Sequence, residues 1–470
     1  MTDTAIVWFR RDLRIHDHPS LTAAARSAER VVPVFVLDEA LLGGRFASGP
    51  RIRFLLGCLR ELREALRERG ADLVVRSGDP VRELVALARE TGAKELHFAS
   101  DVSGFAMTRD RRACAAMQDA GVAVVRHPGL FVADVGKPRT KSGKPYAVFS
   151  PFRRAWAQLE RREVHDAPRS LALPSGVRAG KIPSADALGL PGDVPDPFPP
   201  GERAARERMH AWLRDGIHDY ATLHDRLEGG TSELSPYLHL GCLSPRELEQ
   251  RAGEAGSGQG PEEFVRQLCW RDFYAHVLLT NPGNAHHAYR RQMDELDWED
   301  DDQAFDAWRE GRTGFPVVDA AMRQLRERGW MHNRARLIAA SFLTKDLHID
   351  WRRGEAHFMA LLVDGDEASN NGNWQWISSV GVDPAPYYRR MYNPAAQQDR
   401  HDPEGAYVRR WVPELSDVPL AKLAEPWRMT EEEQEAGGCV IGRDYPEPIV
   451  DHKRERERAM ARYRAVLAER

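Results

Sequence analysis

Two carboxylates separated by one residue are the most distinctive chemical feature of this sequence. Asp364 and Asp366 flank Gly365, and a polar segment with two indoles follows at residues 370–376. A surface turn with incidental acids is the simpler alternative. A glycine-rich polar segment that carries two tryptophans is not typical of a hydrophobic core, so we interpret it as a binding segment.

Three hydroxyl side chains lie close together further upstream. Thr231, Ser232 and Ser235 follow two glycines and precede Pro236. Hydroxyls and free backbone N–H groups at the start of a helix suit a phosphate group. The same residues also suit an ordinary helix N-cap, and the local pattern alone favours that simpler role.

Cationic side chains mixed with aromatic ones form a third feature. Arginines are concentrated at residues 323–336 and 389–410, and tyrosines accompany the second group. An aromatic and basic cluster, residues 270–274, lies on a predicted helix. Cations that hold phosphates beside rings that stack on bases are typical of a nucleic-acid surface. A solvated charged face is the alternative.

The composition is that of a globular protein. The 470 residues are 42% hydrophobic and 29% charged, with a net charge of −4, which excludes wholesale disorder. The five cysteines are scattered without a C-x-x-C pair, so we expect no metal site, no disulfide framework and a cytoplasmic location. Because apolar runs of membrane-span length are absent from the sequence, we expect no membrane attachment.

The elements that must position these residues fall into two parts. In residues 1–130, short apolar strands such as 4–9 and 31–37 alternate with helices, which predicts an α/β domain with a Rossmann-like, doubly wound parallel sheet. No G-x-G-x-x-G follows the first strand, and no P-loop motif occurs, which disfavours an ordinary dehydrogenase or NTPase. Residues 201–470 predict an all-helical domain, and the proline-rich residues 131–200 predict a long linker.

Taken in order along the chain, several motifs resemble those of the photolyase/cryptochrome family. They are residues 6–17 (IVWFRRDLRIHD), 231–238 (TSELSPYL), 269–274 (CWRDFY), 313–325 (TGFPVVDAAMRQL), 330–334 (WMHNR), 364–366 (DGD), 370–376 (NNGNWQW), 392–394 (YNP) and 445–450 (YPEPIV). Each motif alone is modest, but their collinear order is specific. The resemblance is closest to bacterial photolyases that repair cyclobutane pyrimidine dimers in DNA.

The resemblance implies that the helical domain binds FAD in a folded conformation. The residues expected around this cofactor are Tyr220, Thr231, Ser232, Glu233, Leu234, Ser235, Phe264, Arg336, Asp364, Gly365, Asp366 and Asn370. Arg336 would pair with Asp364, because an uncompensated carboxylate beside a negatively charged reduced flavin is unfavourable. Asn370 would face flavin N5 as a neutral amide. Plant cryptochromes carry an acid at this position, so the asparagine favours repair over signalling.

The resemblance also implies catalytic and DNA-binding residues. Trp374, Trp351 and Trp298 match the family's electron-transfer tryptophans, and Asn370 and Gln267 complete the catalytic set. The residues expected to contact DNA or the lesion are Gln267, Trp270, Arg271, Asn333, Arg334, Trp376 and Gln397. The lesion would flip out of the duplex and stack on Trp270 and Trp376.

An antenna chromophore is expected in the N-terminal domain. Its implied contacts are Phe35, Leu37, Arg51, Asp101, Arg109 and Asp110. Residues 101–110 look more like the deazaflavin-binding members of the family than like the folate binders. We therefore expect 8-hydroxy-5-deazaflavin, with methenyltetrahydrofolate as the alternative.

The function implied by the resemblance is that of a monomeric DNA photolyase that splits cyclobutane dimers in UV-damaged DNA with blue or near-UV light and reduced FAD. Three positions depart from the pattern of those enzymes, namely Gln267 in place of Glu, Leu337 in place of Met and His224 in place of Arg. Glutamine also occurs at this position in (6-4) photolyases and animal cryptochromes, but Asn333 and Leu337 replace the histidines of the (6-4) enzymes. A (6-4) photolyase and a cryptochrome-like flavin photoreceptor are the alternatives.

Overall fold

The computed structural model describes residues 2–44, 47–190, 197–382 and 386–468. The predicted fold class is confirmed, because a parallel sheet with helices forms the N-terminal part and helices form the C-terminal part. None of the helices in the described ranges is both long and apolar enough to span a bilayer.

The N-terminal sheet has five parallel strands in the order β3-β2-β1-β4-β5. They are β1 (Thr2–Phe9), β2 (Ala28–Leu37), β3 (Val74–Ser77), β4 (Glu95–Ala99) and β5 (Ala123–His127). The order reverses beside β1, whose last six residues are all buried. In doubly wound sheets, ligands bind at such a reversal, outside the carboxyl ends of the strands.

Five helices accompany these strands. They are α1 (Pro19–Ser27), α2 (Glu39–Leu42), α3 (Gly49–Arg67), α4 (Pro80–Thr91) and α5 (Gly104–Asp119). Side chains cap their first turns, as when Ser48 accepts the N–H of Arg51 and Ser103 accepts the N–H of Ala106. These caps satisfy backbone donors that a helix start leaves free. The local sequence therefore determines where α3 and α5 begin.

The predicted linker, residues 131–200, contains a helix that the sequence analysis missed. This helix, α6 (Phe149–Ala157), has only nine residues and a proline at its third position, so its periodic signal is weak. Residues 191–196 of the predicted linker lie outside the described residues. β5 ends before residue 130 and the next long helix begins after residue 200. The domain boundaries at 130 and 200 stay a prediction.

A buried carboxylate attaches the linker to the helical part. Asp272 accepts hydrogen bonds from the backbone N–H of Val132 and Ala133, at 3.4 and 3.1 Å, and from the indole N–H of Trp156, at 2.9 Å. Burial raises the pKa of Asp272 to about 6, although nearby Arg271 acts in the opposite direction. The linker therefore packs along a helix of the C-terminal part and does not run free in solvent.

Fourteen α-helices are described in the C-terminal part. They are α7 (Glu202–Asp215), α8 (Tyr220–Leu223), α9 (Ser235–Leu240), α10 (Pro245–Glu254), α11 (Gln259–Thr280), α12 (Asp302–Glu310), α13 (Pro316–Arg328), α14 (Asn333–Ser341), α15 (Trp351–Leu361), α16 (Glu367–Ile377), α17 (Pro394–His401), α18 (Ala406–Trp411), α19 (Glu431–Ala436) and α20 (His452–Ala468). The long helix α11 packs against α8, α10 and α16, and α16 also packs against α14 and α15. These helices surround the candidate site.

The two parts meet through the loop between β1 and α1. The guanidinium of Arg14 is 1% exposed and donates to the carbonyl oxygens of Gly241 and Gly129, at 2.9 and 3.0 Å. Gly241 has a φ of +67°, and a Cβ atom there would lie 2.0 Å from the carbonyl oxygen of Arg11. Only glycine fits this contact, so the sequence at residue 241 permits the close approach of the two parts.

Candidate functional site

A cavity of about 280 Å³ lies among the helices of the C-terminal part. Eleven of the twelve residues expected around the cofactor line it, namely Tyr220, Thr231, Ser232, Glu233, Leu234, Ser235, Arg336, Asp364, Gly365, Asp366 and Asn370. Asp366 caps α16, and Asn370 and Trp374 follow at steps of four residues, which places them on one face of this helix. That face forms one wall of the cavity.

The predicted pairing of Arg336 with Asp364 is present. The Arg336 Nη2 atom donates to Asp364 Oδ2 at 2.7 Å, while Nε donates to the carbonyl oxygen of Met331 at 2.8 Å. The other carboxylate oxygen, Asp364 Oδ1, is buried and has no hydrogen-bond partner among the described residues. An unsatisfied buried acceptor is unfavourable. This atom is therefore available to accept a hydrogen bond from a ligand in the cavity.

The amide of Asn370 is oriented by the neighbouring helix α15. Its Nδ2 atom donates to the backbone oxygen and the Oε1 atom of Glu355, at 3.0 and 3.2 Å. The amide nitrogen is thus directed at Glu355, so the carbonyl oxygen of Asn370 is the atom that remains for a ligand. Glu355 thus makes Asn370 a hydrogen-bond acceptor at the cavity. Nothing in the local sequence around Glu355 predicts this role.

Charge is balanced around the hydroxyl-rich segment. Glu233 has a positive φ of 49°, and its carboxylate pairs with Arg208 at 2.5 Å and Arg328 at 2.9 Å. These guanidinium groups compensate the charge of Glu233 in the cavity wall. The hydroxyls do not cap α9, because its N-cap residue is Leu234 and makes no side-chain cap hydrogen bond. The simpler N-cap interpretation is therefore wrong for this segment.

An arginine from the N-terminal part reaches the same cavity wall. Asp366 Oδ1 accepts the N–H of Ser369, and Oδ2 accepts a hydrogen bond from Arg11 Nη2 at 2.5 Å. Burial acts to raise the pKa of Asp366, but the charges of Arg11 and Arg271 outweigh it and hold this pKa well below its usual range. Asp366 is therefore a carboxylate at neutral pH. It joins the two parts of the chain at the first turn of α16.

A second cavity, of about 200 Å³, lies between the N-terminal sheet and the helical part. Five of the six predicted antenna residues line it, namely Phe35, Leu37, Arg51, Asp101 and Arg109. The prediction places Asp110 there too, but its carboxylate lies behind the wall and pairs with Arg10 and Arg109 at 2.6 and 2.9 Å. Asp110 therefore orients two cations of the wall.

One residue lines both cavities. Gly365 is in the wall of each, and a Cβ atom at this position would lie 2.3 Å from Arg51 Nη1. The Arg51 guanidinium is fixed there, because Nη1 donates to the carbonyl oxygens of Met359 and Leu362 at 2.9 and 2.7 Å. Gly365 thus leaves room for the Arg51 side chain, and the wall between the two cavities is thin at this point.

Trp374 is buried in the wall of the first cavity. It is 2% exposed, and its indole N–H has no hydrogen-bond partner among the described residues. The rings of Phe358 and Trp308 pack against it, with centroids at 4.9 and 6.3 Å. Nothing in the local sequence of Trp308 distinguishes it from an ordinary core residue. A Cβ atom on Gly354 would lie 2.2 Å from the Trp374 ring.

The other two predicted tryptophans lie near the start of α15. Trp351 is its first residue and is 1% exposed, and the Arg352 guanidinium lies 4.8 Å from its ring centroid. An isolated parallel bridge pairs Glu299 with Ile349, which brings the chain at Trp298 alongside the residues that precede Trp351. The structure therefore brings these two segments together, although they are distant in sequence.

Several predicted residues lie away from the cavity. Phe264 is behind its wall, where its ring packs on Tyr220 and Trp212 with centroids at 5.5 and 5.8 Å. Arg271 points between the two parts of the chain and donates to the carbonyl oxygens of Leu130 and Leu238, at 2.6 and 3.3 Å. These internal contacts argue against a role of Arg271 in holding DNA. Phe264 supports Tyr220 and does not itself line the site.

Of the predicted DNA-binding residues, Gln267 and Asn333 line the cavity. Trp270 lies one turn of α11 beyond Gln267 and stacks on Phe149.

Arg334 forms a two-point ion pair with Asp225, at 2.7 and 2.6 Å. The guanidinium carbon of Arg390 lies 4.2 Å from the ring centroid of the half-buried Trp376. Gln397 lies on α17, outside the cavity lining. The local motifs did not predict these ion-pair and cation–π partners.

Residues that the sequence analysis did not predict as ligands also line the cavity. They are His224, Trp330, Met331, Leu337, Ala340, Phe358, Leu362, Ser369, Asn373, Trp374 and Ile377. Ser369, Asn373 and Ile377 lie three or four residues from predicted members of the α16 face, so helical spacing could have identified them. Phe358 and Ala340 come from other helices and carry no comparable signal.

Comparisons with known proteins agree on one family. The model described as the FAD binding domain of DNA photolyase matches residues 264–465, and the model described as DNA photolyase matches residues 5–171. A deoxyribodipyrimidine photo-lyase of Streptomyces griseus is 44% identical, over 97% of this chain and 98% of that protein.

Two solved structures are similar over almost the whole chain. A class III photolyase from Agrobacterium tumefaciens has a TM-score of 0.94 and 34% identity, and the match covers 100% of this chain and 98% of that one. A Synechocystis cryptochrome has a TM-score of 0.91 and 29% identity, with coverage of 98% and 99%. Both a photolyase and a cryptochrome therefore share this architecture.

The close contact at Gly354 can be tested by substitution. We expect Gly354→Ala to lower the free energy of unfolding by about 1–3 kcal/mol, because the added methyl group must displace the Trp374 ring or Leu343. Gly253→Ala is the control, since nothing lies within 4 Å of a Cβ there, and it should raise this free energy by about 0.5–1 kcal/mol. Urea unfolding measures both, and equal stability of the two variants would contradict the contact.

Proposed function

This chain belongs to the photolyase/cryptochrome family, and we propose that it is a DNA photolyase that uses light and reduced FAD to split cyclobutane pyrimidine dimers. The observation that carries the proposal is the cavity of the helical part, whose wall combines the Arg336–Asp364 pair with Asn370 and Trp374. The similarity over nearly the full length to a protein named deoxyribodipyrimidine photo-lyase supports the reaction.

The wall of the cavity fits FAD. The unpartnered Asp364 Oδ1 suits an N–H or O–H donor of the cofactor, and burial of a free acceptor would be unfavourable without one. The hydroxyls of Thr231 and Ser232 suit its pyrophosphate, with Arg208 and Arg328 as nearby cations. We propose these residues as the FAD-binding set, together with the other predicted residues that line the cavity.

The protein's contribution to the chemistry is orientation and exclusion of water. When bound, reduced FAD supplies the light-driven electron that splits the cyclobutane ring and that returns afterwards. Asn370, fixed by Glu355, offers an acceptor at the cavity and no ionisable proton. Arg336 compensates the charge of Asp364, so that this carboxylate does not oppose a negatively charged ring. Apolar side chains, including Leu337 and Phe358, keep the remaining wall dry.

We propose Trp374, Trp351 and Trp298 as the path by which electrons reach the cofactor. Trp374 lines the cavity, α15 carries both Trp351 and the Gly354 contact to the Trp374 ring, and the Glu299–Ile349 bridge brings Trp298 near Trp351. The contact between Trp374 and Trp308 offers a second route. Substitution of each indole distinguishes the two routes.

Access of the substrate requires that the lesion leave the duplex. Flipping costs a few kcal/mol and costs least for a damaged pair, and stacking on an aromatic face returns about 1–3 kcal/mol per base. We propose Gln267 in the cavity wall and the half-buried Trp270 beside it as the first contacts of the dimer. The ion pair of Arg334 with Asp225 compensates its charge, so other arginines must supply most of the phosphate contacts.

The second cavity is our candidate for the antenna chromophore. Four arginines line it, namely Arg10, Arg11, Arg51 and Arg109, and much of the remaining wall is apolar. An aromatic chromophore with an anionic substituent suits such a wall. We propose 8-hydroxy-5-deazaflavin, with methenyltetrahydrofolate as the alternative that extraction and absorption spectroscopy of the purified protein would identify.

Gln267 is the observation that favours a second candidate function. It lines the cavity at a position where photolyases for cyclobutane dimers usually carry glutamate. The similar Synechocystis cryptochrome has the same architecture, so the architecture does not by itself indicate repair. The second candidate is therefore a (6-4) photolyase or a flavin photoreceptor. Asn333 and Leu337 make the (6-4) reaction the weaker of these, because neither supplies a proton.

The lesion assay separates these functions directly. The reduced protein is illuminated with two duplexes that carry either a cyclobutane dimer or a (6-4) photoproduct at one position. We expect light-dependent loss of the cyclobutane dimer only, with dark samples as the control. Loss of the (6-4) product only would support the second candidate, and loss of neither lesion would favour a photoreceptor.

The electron path is tested by Trp374→Phe. We expect at least a tenfold fall in the rate at which light reduces bound FAD, because phenylalanine is much harder to oxidise than indole and each 1.4 kcal/mol of added barrier is tenfold. The absorbance of the flavin under illumination with an external reductant measures this rate. Trp411→Phe, which lies outside both cavity linings, is the control. A normal rate in Trp374→Phe would remove this tryptophan from the path.

The role of Gln267 is tested by Gln267→Glu. A hydrogen bond to a charged group exceeds a neutral one by about 1 kcal/mol, so we expect up to about a fivefold higher yield of dimer repair per absorbed photon. Gln259→Glu makes the same change of charge at the exposed start of α11 and should leave the yield unaltered. An unchanged or lower yield in Gln267→Glu would show that glutamine does not limit repair.

A further inference from the structure

A phenylalanine of the linker covers one face of Trp270. The rings of Phe149 and Trp270 are parallel within 4°, with centroids 3.6 Å apart. Phe149 is 7% exposed and is the first residue of α6. Aromatic pairs in proteins generally prefer offset or edge-to-face arrangements. A closely overlapped parallel pair therefore indicates that the surrounding structure fixes both rings.

The residues on either side of Phe149 hold it in place. Further along α6, the Phe152 ring packs on Phe273 at 5.2 Å, and the Trp156 indole donates to the buried Asp272. Phe149, Phe152 and Trp156 follow at helical spacing, so one face of α6 presents all three aromatic side chains to α11.

A histidine of α11 holds the chain that precedes Phe149. His276 Nε2 accepts the backbone N–H of Tyr146 at 3.1 Å, and its Nδ1 donates to the carbonyl oxygen of Val135 at 2.7 Å. The linker is thus attached to α11 both before and after Phe149. The position of the Phe149 ring follows from these attachments and from its stack with Trp270.

Trp270 keeps part of its surface accessible. Phe273 contacts it edge-on and Tyr274 lies tilted beside it, both with centroids at 5.6 Å. The indole is nevertheless only half-buried, and Gln267, one helical turn earlier on the same helix, lines the cavity. An aromatic ring that is fixed on one face and accessible elsewhere, beside a cavity, is suited to receive another flat ring.

We propose that Phe149 is a positioning residue for the pyrimidine dimer and forms, with Trp270 and an extruded pyrimidine, a continuous stack. The inference rests on the proposed function, because it assumes that the cavity receives a flipped lesion. Phe149 fixes the plane of the Trp270 indole before the lesion arrives. Because immobilising one side chain on binding weakens affinity by about two- to tenfold, a ring that is already fixed avoids this loss. The linker is then part of the substrate site.

The test is binding in the dark to two duplexes of the same sequence, one with a single thymine dimer and one undamaged. We expect Phe149→Leu and Phe149→Met to bind the dimer duplex about two- to tenfold more weakly than the wild type. Binding to the undamaged duplex should not change, because it depends on phosphate contacts. Phe149→Tyr keeps the ring and should restore the affinity for the dimer. Val148→Ala, at an exposed neighbouring residue, is the matched control.

A double-mutant cycle with Trp270→Phe provides the second measurement. Combined with Trp270→Phe, the loss caused by Phe149→Leu should be smaller than in the wild type, because the two side chains act through one stack. Additive losses, or equal losses for both duplexes, would overturn the inference and indicate a general structural role. If the wild type does not distinguish the duplexes at all, the proposed function fails instead. If the wild type distinguishes the duplexes, but Phe149→Leu and Phe149→Met bind the dimer duplex as tightly as the wild type, only the inference fails.

Discussion

The hydrogen bonds of Asp366 hold the candidate site and the two parts of the chain in one arrangement. One carboxylate oxygen caps α16 through the N–H of Ser369, and the other accepts a hydrogen bond from Arg11 of the N-terminal part. The face of α16 that carries Asn370 and Trp374 is thereby fixed relative to the sheet. Because the carboxylate is buried, it depends on these cationic and N–H partners. Rotation of this first turn would disturb both cavities together.

Charge compensation is the second constraint on the site. Each acidic side chain that is described in the cavity wall forms an ion pair with an arginine. Arg336 pairs with Asp364, Arg11 pairs with Asp366, and two arginines pair with Glu233. A buried acid without such a partner would shift its pKa and take up a proton. The arginines therefore allow carboxylates to act as acceptors beside an anionic cofactor without repelling it.

The linker helps to position side chains beside the candidate site. Asp272 and His276, on the side of α11 that faces the linker, fix the chain around α6, and α6 in turn places Phe149 on Trp270. Gln267 of the same helix lines the cavity. One helix thus carries both Gln267, our proposed substrate contact in the cavity wall, and the carboxylate that anchors the linker. A connection that the composition predicts to be only a surface segment therefore contributes to the architecture of the site.

The sequence alone determined the α/β and helical parts and most of the cavity wall, because helical spacing and collinear motifs are local properties. Asp366, Asn370 and Trp374 share a face for this reason alone. Tertiary structure decided the rest. The inward orientation of Arg271, the position of Phe264 behind Tyr220 and the stack of Phe149 on Trp270 depend on contacts between elements far apart in sequence. Such contacts follow from how whole helices pack and where buried charges find partners, which no local spacing specifies.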